Sequence, residues 1–259
     1  MADLRVSCES GVLRMVMDRP AVRNALTAAM VDEMTAQLEA LPGRDDVRVV
    51  LLAGAGGAFS SGADLSDQAG QPAQDGLDVS AMDRANRLVR AVVRADQPVV
   101  SAVDGVAAGF GCALALACDL VVAAPTSSFV LSFARVGLMP DGGTTATVAA
   151  AVGRARAMRM ALLGDPLGGA EAHAAGLVSH LAAEGDLDAE VERLVARLAA
   201  GAPLAQAATK RAVNAATLDL LEPALETERR HQSLLLRTDD VAEGVLAFVE
   251  KRPARFLGR

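Results

Sequence analysis

A change of pattern at about Gly153 constrains the fold more than any other feature of the chain. Before it, short apolar runs alternate with helical periodicities. Val12-Leu13-Arg14-Met15-Val16-Met17 reads as a strand that Asp18-Arg19-Pro20 ends. Thr27 is the predicted N-cap of a helix carrying Met30, Met34, Leu38 and Leu41 at helical spacing, closed by Pro42-Gly43. Further strands are predicted at 47–52, 98–103 and 119–123, and helices at 80–95 and 109–117. After Gly153 the spacing predicts helices only, at 154–163, 170–175, 187–200, 204–216, 218–236 and 239–251. An α/β body of ββα-like or βαβ units followed by a helical tail is the implied class. With 52% hydrophobic residues, 2% aromatic ones and neither Trp nor Tyr, its core must be built from Ala, Val, Leu and Met.

The net charge of −7 comes with no obvious basic face, so nucleic acid is not an expected partner. A local basic spot still accommodates an anionic substrate. Cys8, Cys112 and Cys118 lack metal-ligand spacing. With no secretory pattern at the N-terminus they read as reduced thiols, which predicts a cytoplasmic protein. Cys112 and Cys118 read as small core residues. The apolar run from Gly105 to Cys118 falls short of the ~20 residues of a membrane span, so no membrane association is expected. His173, His180 and His231 are not spaced as ligands, and no metal is expected. Arg154, Arg156 and Arg159 read as a solvated helix face, and Glu171 as an ordinary helix residue.

Two Gly-rich loops each follow a predicted strand: Phe59-Ser60-Ser61-Gly62-Ala63-Asp64-Leu65, and Asp104-Gly105-Val106-Ala107-Ala108-Gly109-Phe110-Gly111-Cys112-Ala113-Leu114, which opens a helix. Spacing alone admits two readings. One is a pair of tight turns packing helix on sheet. The other is an oxyanion hole of two converging backbone N–H groups, one at a helix N-terminus. Neither loop is a P-loop or a nucleophile elbow. The stretch 67–78, rich in Gly, Gln, Pro and Asp, reads as a mobile surface loop at a site mouth.

The chain resembles the enoyl-CoA hydratase/isomerase (crotonase) family over nearly its whole length. The resemblance runs through Asp18-Arg19-Pro20 to Asn24-Ala25-Leu26, the Phe59–Leu65 loop, and Gly105 to Asp119. It continues through Gly137-Leu138-Met139-Pro140-Asp141-Gly142-Gly143-Thr144, then Gly164-Asp165-Pro166 to Gly176-Leu177-Val178. It ends in the close from Glu243 to Phe256. It implies a spiral of ββα units over 1–195 with a helical C-terminal trimerisation region over 196–259, in a homotrimer or dimer of trimers. It implies an acyl-CoA thioester as substrate, with coenzyme A as part of it and no separate cofactor. The thioester carbonyl would be held by the N–H groups of Ala63 and Phe110. CoA and substrate contacts would come from Arg23, Ala25, Ser61, Gly62, Asp64, Leu65, Phe133 and Pro140. Phe256, with Lys251 or Arg259, would reach a neighbouring subunit's adenine site; the other reading of these three is an ordinary frayed terminus.

The sequence departs from the family's hydratases. Their two glutamates correspond here to Ala113 and Phe133, and neither residue activates water or protonates carbon. The acidic residue left where the family places chemistry is Asp141, at a loop position that several double-bond isomerases also make acidic. The closing segment resembles the phenylacetate-pathway isomerases. Asp141 is therefore the expected base of an enoyl-CoA isomerase, with burial beside Phe133 and Met139 expected to raise its pKa. Pro-Asp-Gly is also a common turn, which is the competing reading. Enoyl-CoA hydration and non-catalytic acyl-CoA binding are the alternative functions.

Overall fold

A computed structural model describes residues 2–64 and 80–259. Leu65 and the stretch 67–78 singled out above lie outside these residues. Strands β1 (Leu4–Glu9), β2 (Val12–Met17), β3 (Val49–Gly54), β4 (Val99–Val103), β6 (Leu120–Ala123) and β9 (His180–Leu181) form a six-stranded sheet in the order β1-β2-β3-β4-β6-β9. Strands β5 (Val106–Ala108), β7 (Ser128–Val130) and β8 (Leu167–Gly168) form a three-stranded one in the order β5-β7-β8. The chain crosses from β2 to β3 through α1 (Ala28–Glu39), and from β3 to β4 past α2 (Ser80–Arg94). From β4 to β6 it passes through β5 and α3 (Phe110–Ala117). These crossovers leave β2, β3, β4 and β6 parallel.

The central strands are buried on both faces, as parallel strands between helices must be. Leu13, Met15, Val50, Leu52, Val99 and Val103 point into the main core with Met30, Met34 and Leu38 of α1, Leu88, Val89 and Val92 of α2, and Leu114 of α3. Their alternating neighbours Val12, Val49, Leu51, Val100 and Val122 meet Val191 and Val195 of α6 (Leu187–Ala199) on the opposite face. The expected boundary at 195/196 thus falls inside a helix that covers the sheet. Thr27 caps α1 as expected, its side chain accepting from the Met30 N–H at 3.3 Å.

The expectation of helices alone after Gly153 is corrected by β8 and β9. Each has two residues, too few for any periodicity. Each is defined by a partner strand, β8 pairing with Ser128 and Phe129 and β9 with Val122 and Ala123. The helix expected at 154–163 is the second part of α4 (Thr144–Leu163), which Gly153 interrupts with a non-helical backbone. The edge strand β1 was not expected, because its side chains are mostly exposed and carry no core pattern. Helices α5 (Gly169–Ala174), α7 (Pro203–Thr217), α8 (Leu221–Leu235) and α9 (Asp239–Val249) complete the chain. None of the described helices is long and apolar enough to cross a membrane.

Candidate active site

The two Gly-rich loops lie side by side. A parallel bridge joins Ser60 to Ala107, with the Ala108 N–H donating to the Ser60 carbonyl at 2.9 Å. A second parallel bridge joins Leu26 to Ala63: the Leu26 N–H donates to the Gly62 carbonyl at 2.8 Å and the Asp64 N–H to the Leu26 carbonyl at 3.0 Å. Gly62 stands at φ +100°, where a Cβ would lie 2.8 Å from the Ala108 carbonyl oxygen and 3.3 Å from the Phe110 nitrogen. Both the backbone angle and the close approach require glycine. Phe110 begins α3, so its N–H has no acceptor within the helix. Among the described residues neither this N–H nor that of Ala63 has a backbone acceptor. The arrangement therefore presents two unused donors from adjacent loops, one of them at the positive end of a helix.

The same bridges gather most of the expected CoA-contacting residues. The Ser61 N–H donates to the Arg23 carbonyl at 2.8 Å, and the Ser61 hydroxyl to the Val22 carbonyl at 3.0 Å. Asp64 pairs with Arg19 at 2.8 Å, and Arg19 also donates to the Ala25 carbonyl at 2.7 Å. The turn itself rests on the fully buried Asn24. Its Nδ2 donates to the carbonyls of Ala55 (2.9 Å) and Ala58 (2.7 Å), while its Oδ1 accepts from the Arg19 N–H (2.8 Å). Arg23, Ala25, Ser61, Gly62 and Asp64 thus form one contiguous rim. Phe256 belongs instead to the C-terminal tail. Asp240 at the start of α9 holds that tail by accepting from the N–H groups of Leu257 (2.5 Å) and Gly258 (2.8 Å).

Asp141 reaches the second loop from the connection between the 3-10 turn Ser132–Val136 and α4. Gly142, at φ +64°, is what permits the approach: a Cβ there would lie 2.7 Å from Ala113 Cβ and 3.2 Å from the Phe110 ring. Asp141 is 7% exposed, and Phe133 and Pro140 are buried nearby in the chain. Its Oδ2 accepts from Gln232 Nε2 at 3.0 Å, whereas Oδ1 has no hydrogen-bond partner among the described residues. Burial pushes its carboxyl up to about 7. The Gln232 hydrogen bond opposes the rise and the nearby charge of Glu228 adds to it. A carboxyl at that value acts as both base and acid near neutral pH.

Glu228 and Gln232 were not singled out in the sequence. Both lie on α8, where Leu221, Leu225, Glu228 and Gln232 are the buried positions. Two polar side chains on the apolar stripe of an amphipathic helix were the readable signal. Fully buried Glu228 accepts from the N–H groups of Gly143 (2.7 Å) and Thr145 (3.0 Å) and from the Thr145 hydroxyl (2.5 Å). Burial raises its pKa, and these donors oppose the rise. Cys112 and Cys118 are core residues whose thiols burial pushes up to about 12. His173 and His231 are exposed on α5 and α8. His180 lies on β9, and burial is the main cause of its lowered pKa.

The family model described as enoyl-CoA hydratase/isomerase matches residues 7–259. A Rhodobacter capsulatus protein named probable enoyl-CoA hydratase is 40% identical over 99% of this chain and 98% of its own. The 1,2-epoxyphenylacetyl-CoA isomerase of Escherichia coli is 36% identical over 97% of each. Among solved structures, an enoyl-CoA hydratase from Mycobacterium avium subsp. paratuberculosis superposes with a TM-score of 0.91 at 43% identity, over 99% of each chain.

Proposed function

The chain belongs to the enoyl-CoA hydratase/isomerase family of acyl-CoA enzymes, and from that premise we propose that it is an enoyl-CoA isomerase with Asp141 as its base. In this reading Arg23, Ala25, Ser61, Gly62 and Asp64 receive the CoA portion, and the thioester oxygen accepts from the N–H groups of Ala63 and Phe110. Asp141 removes a proton from the α carbon of a 3-enoyl thioester. The charge that develops on the oxygen is stabilised by the two donors, and removing one such donor typically costs roughly 100- to 1000-fold. Protonated Asp141 then returns the proton at the γ carbon, leaving the conjugated 2-enoyl-CoA. No redox partner or second substrate enters this balance, so no cofactor beyond the substrate's own coenzyme A is needed.

The supporting observation is the state of Asp141: a buried carboxyl near neutrality with one oxygen unpartnered, on a loop pressed against Phe110. Ala113 and Phe133, at the family's two hydratase carboxylate positions, supply no acid or base. Apolar Leu246, Phe248 and Val249, left exposed on α9, support the trimeric assembly that the resemblance implies.

A second reading, enoyl-CoA hydratase, is favoured by the name of the 40% identical Rhodobacter capsulatus relative. Incubating the protein in D2O with a 3-enoyl-CoA, and separately with crotonyl-CoA, discriminates the two. Isomerisation by this single base predicts the 2-enoyl-CoA with the transferred hydrogen largely retained as protium, and loss of this activity in Asp141→Asn. Formation of 3-hydroxybutyryl-CoA from crotonyl-CoA, with no shift of the 3-enoyl bond, would overturn the isomerase reading.

A further inference from the structure

Helix α8 approaches the Asp141 loop with two buried polar side chains one turn apart, and both are spent on that loop. Gln232 closes a two-sided amide clamp on Met139: its Oε1 accepts from the Met139 N–H at 3.1 Å and its Nε2 donates to the Met139 carbonyl at 3.0 Å. The same Nε2 donates to Asp141 Oδ2 at 3.0 Å. The other side of the loop is held by Glu228, which accepts from Gly143, two residues beyond Asp141, and from Thr145 in the first turn of α4. Loop and helix are 91 residues apart at the Gln232–Asp141 contact, so local sequence does not dictate this arrangement.

Glu228 supplies the acceptors that the start of α4 lacks, and Gln232 adds a contact that capping does not require, its hydrogen bond to the Asp141 carboxyl. Here a carboxylate and a carboxamide bracket Asp141. The carboxamide fixes one oxygen of that acid and leaves the other without a partner. The carboxylate places a like charge close enough to disfavour its ionisation.

We propose that Gln232 and Glu228 are positioning residues for Asp141: Gln232 fixes the carboxyl so that Oδ2 is occupied and Oδ1 is left for the substrate, and Glu228 anchors the loop to α4. The catalytic use of this seat rests on the isomerase reading above; the seat itself does not. On the other elements packed here, Arg135 and Asp240 are engaged elsewhere. Arg135 of the 3-10 turn donates to the Gly164 carbonyl at 2.7 Å, and Asp240 of α9 holds the tail. Helix α3 presents uncharged Phe110 and Ala113 to Gly142.

The test reads the ionisation of Asp141 without turnover. Carbonyl-labelled aspartate is followed by carbon NMR against pH, and the Asp141 signal is assigned by its loss in Asp141→Asn. The wild type should titrate with a midpoint at about 7. Gln232→Met, similar in length, removes the donor to the ionised form and should move the midpoint up. Glu228→Gln, which keeps one acceptor oxygen for either Gly143 or Thr145, removes the like charge and should move it down. With a 3-enoyl-CoA, Gln232→Met should lower kcat by roughly 10- to 100-fold, the scale of one hydrogen bond to a charged group, with a smaller change in KM. Unmoved midpoints in both folded variants would overturn the seat, whatever the activities. Moved midpoints with full turnover by Asp141→Asn would uphold the seat and overturn the base reading instead.

Discussion

The molecule treats two aspartates in opposite ways, one buried and one partly buried. Asp119, just before β6, has an opposite charge at hand: Lys210 of α7 stands 2.7 Å from its Oδ2, and the Val99 N–H donates to the same oxygen at 2.7 Å. Lys210 is itself saturated by the carbonyls of Val92 (2.9 Å) and Gln97 (3.3 Å). Asp141 has one neutral donor, one oxygen without a partner among the described residues, and the carboxylate of Glu228 close enough to disfavour its ionisation. Burial raises both carboxyls, but Lys210 pulls Asp119 back, whereas Glu228 pushes Asp141 further up. Burial alone therefore does not mark a functional acid. What distinguishes Asp141 is burial without an opposite charge among the described residues, on a loop packed against Phe110.

The contrast breaks most visibly in catalysis. Asp141→Asn should lower isomerase turnover by roughly 100- to 10,000-fold, the range of a lost general base, while Asp119→Asn leaves turnover per folded molecule unchanged. Steady-state rates on the two purified variants check this, and equal losses would erase the distinction. In stability the order reverses. Lys210→Met strands a partly buried carboxylate and should cost about 1–3 kcal/mol in chemical denaturation. Adding Asp119→Asn should recover part of that loss.

The contrast also carries a pH dependence. Asp141 has a folded pKa of about 7 against an ordinary value of 3.8, so the folded state holds its proton longer than the unfolded chain does. Its contribution to stability is fully present below about pH 4 and is lost as the pH rises through about 7. Asp141→Asn should remove that decline, so Tm for the variant minus Tm for the wild type grows across this window. Activity runs the other way, rising with pH as the base ionises. A constant Tm difference from pH 4 to 8 would mean that the Asp141 carboxyl is not raised.

Much of this was legible before folding. The strand β2, the capped helix α1 and the α2–β4–α3–β6 run follow from apolar spacing, because their burial is set by neighbours close in sequence. The two Gly-rich loops were marked by glycine, and Gly62 in the first of them, like Gly142 on the Asp141 loop, does stand where a side chain would collide. Strands β8 and β9 were not legible, being too short to carry a pattern apart from their partners. By itself, then, the sequence determined the order of the body's longer elements, the glycines that let two backbones meet, and the absence of glutamate at 113 and 133. Only the tertiary structure decided that Asp141 sits without a counter-charge, with Gln232 and Glu228 brought to it from α8. The physical reason is that a pKa depends on solvent exclusion and on charges a few ångströms away, and here those come from a helix 85–91 residues further along the chain.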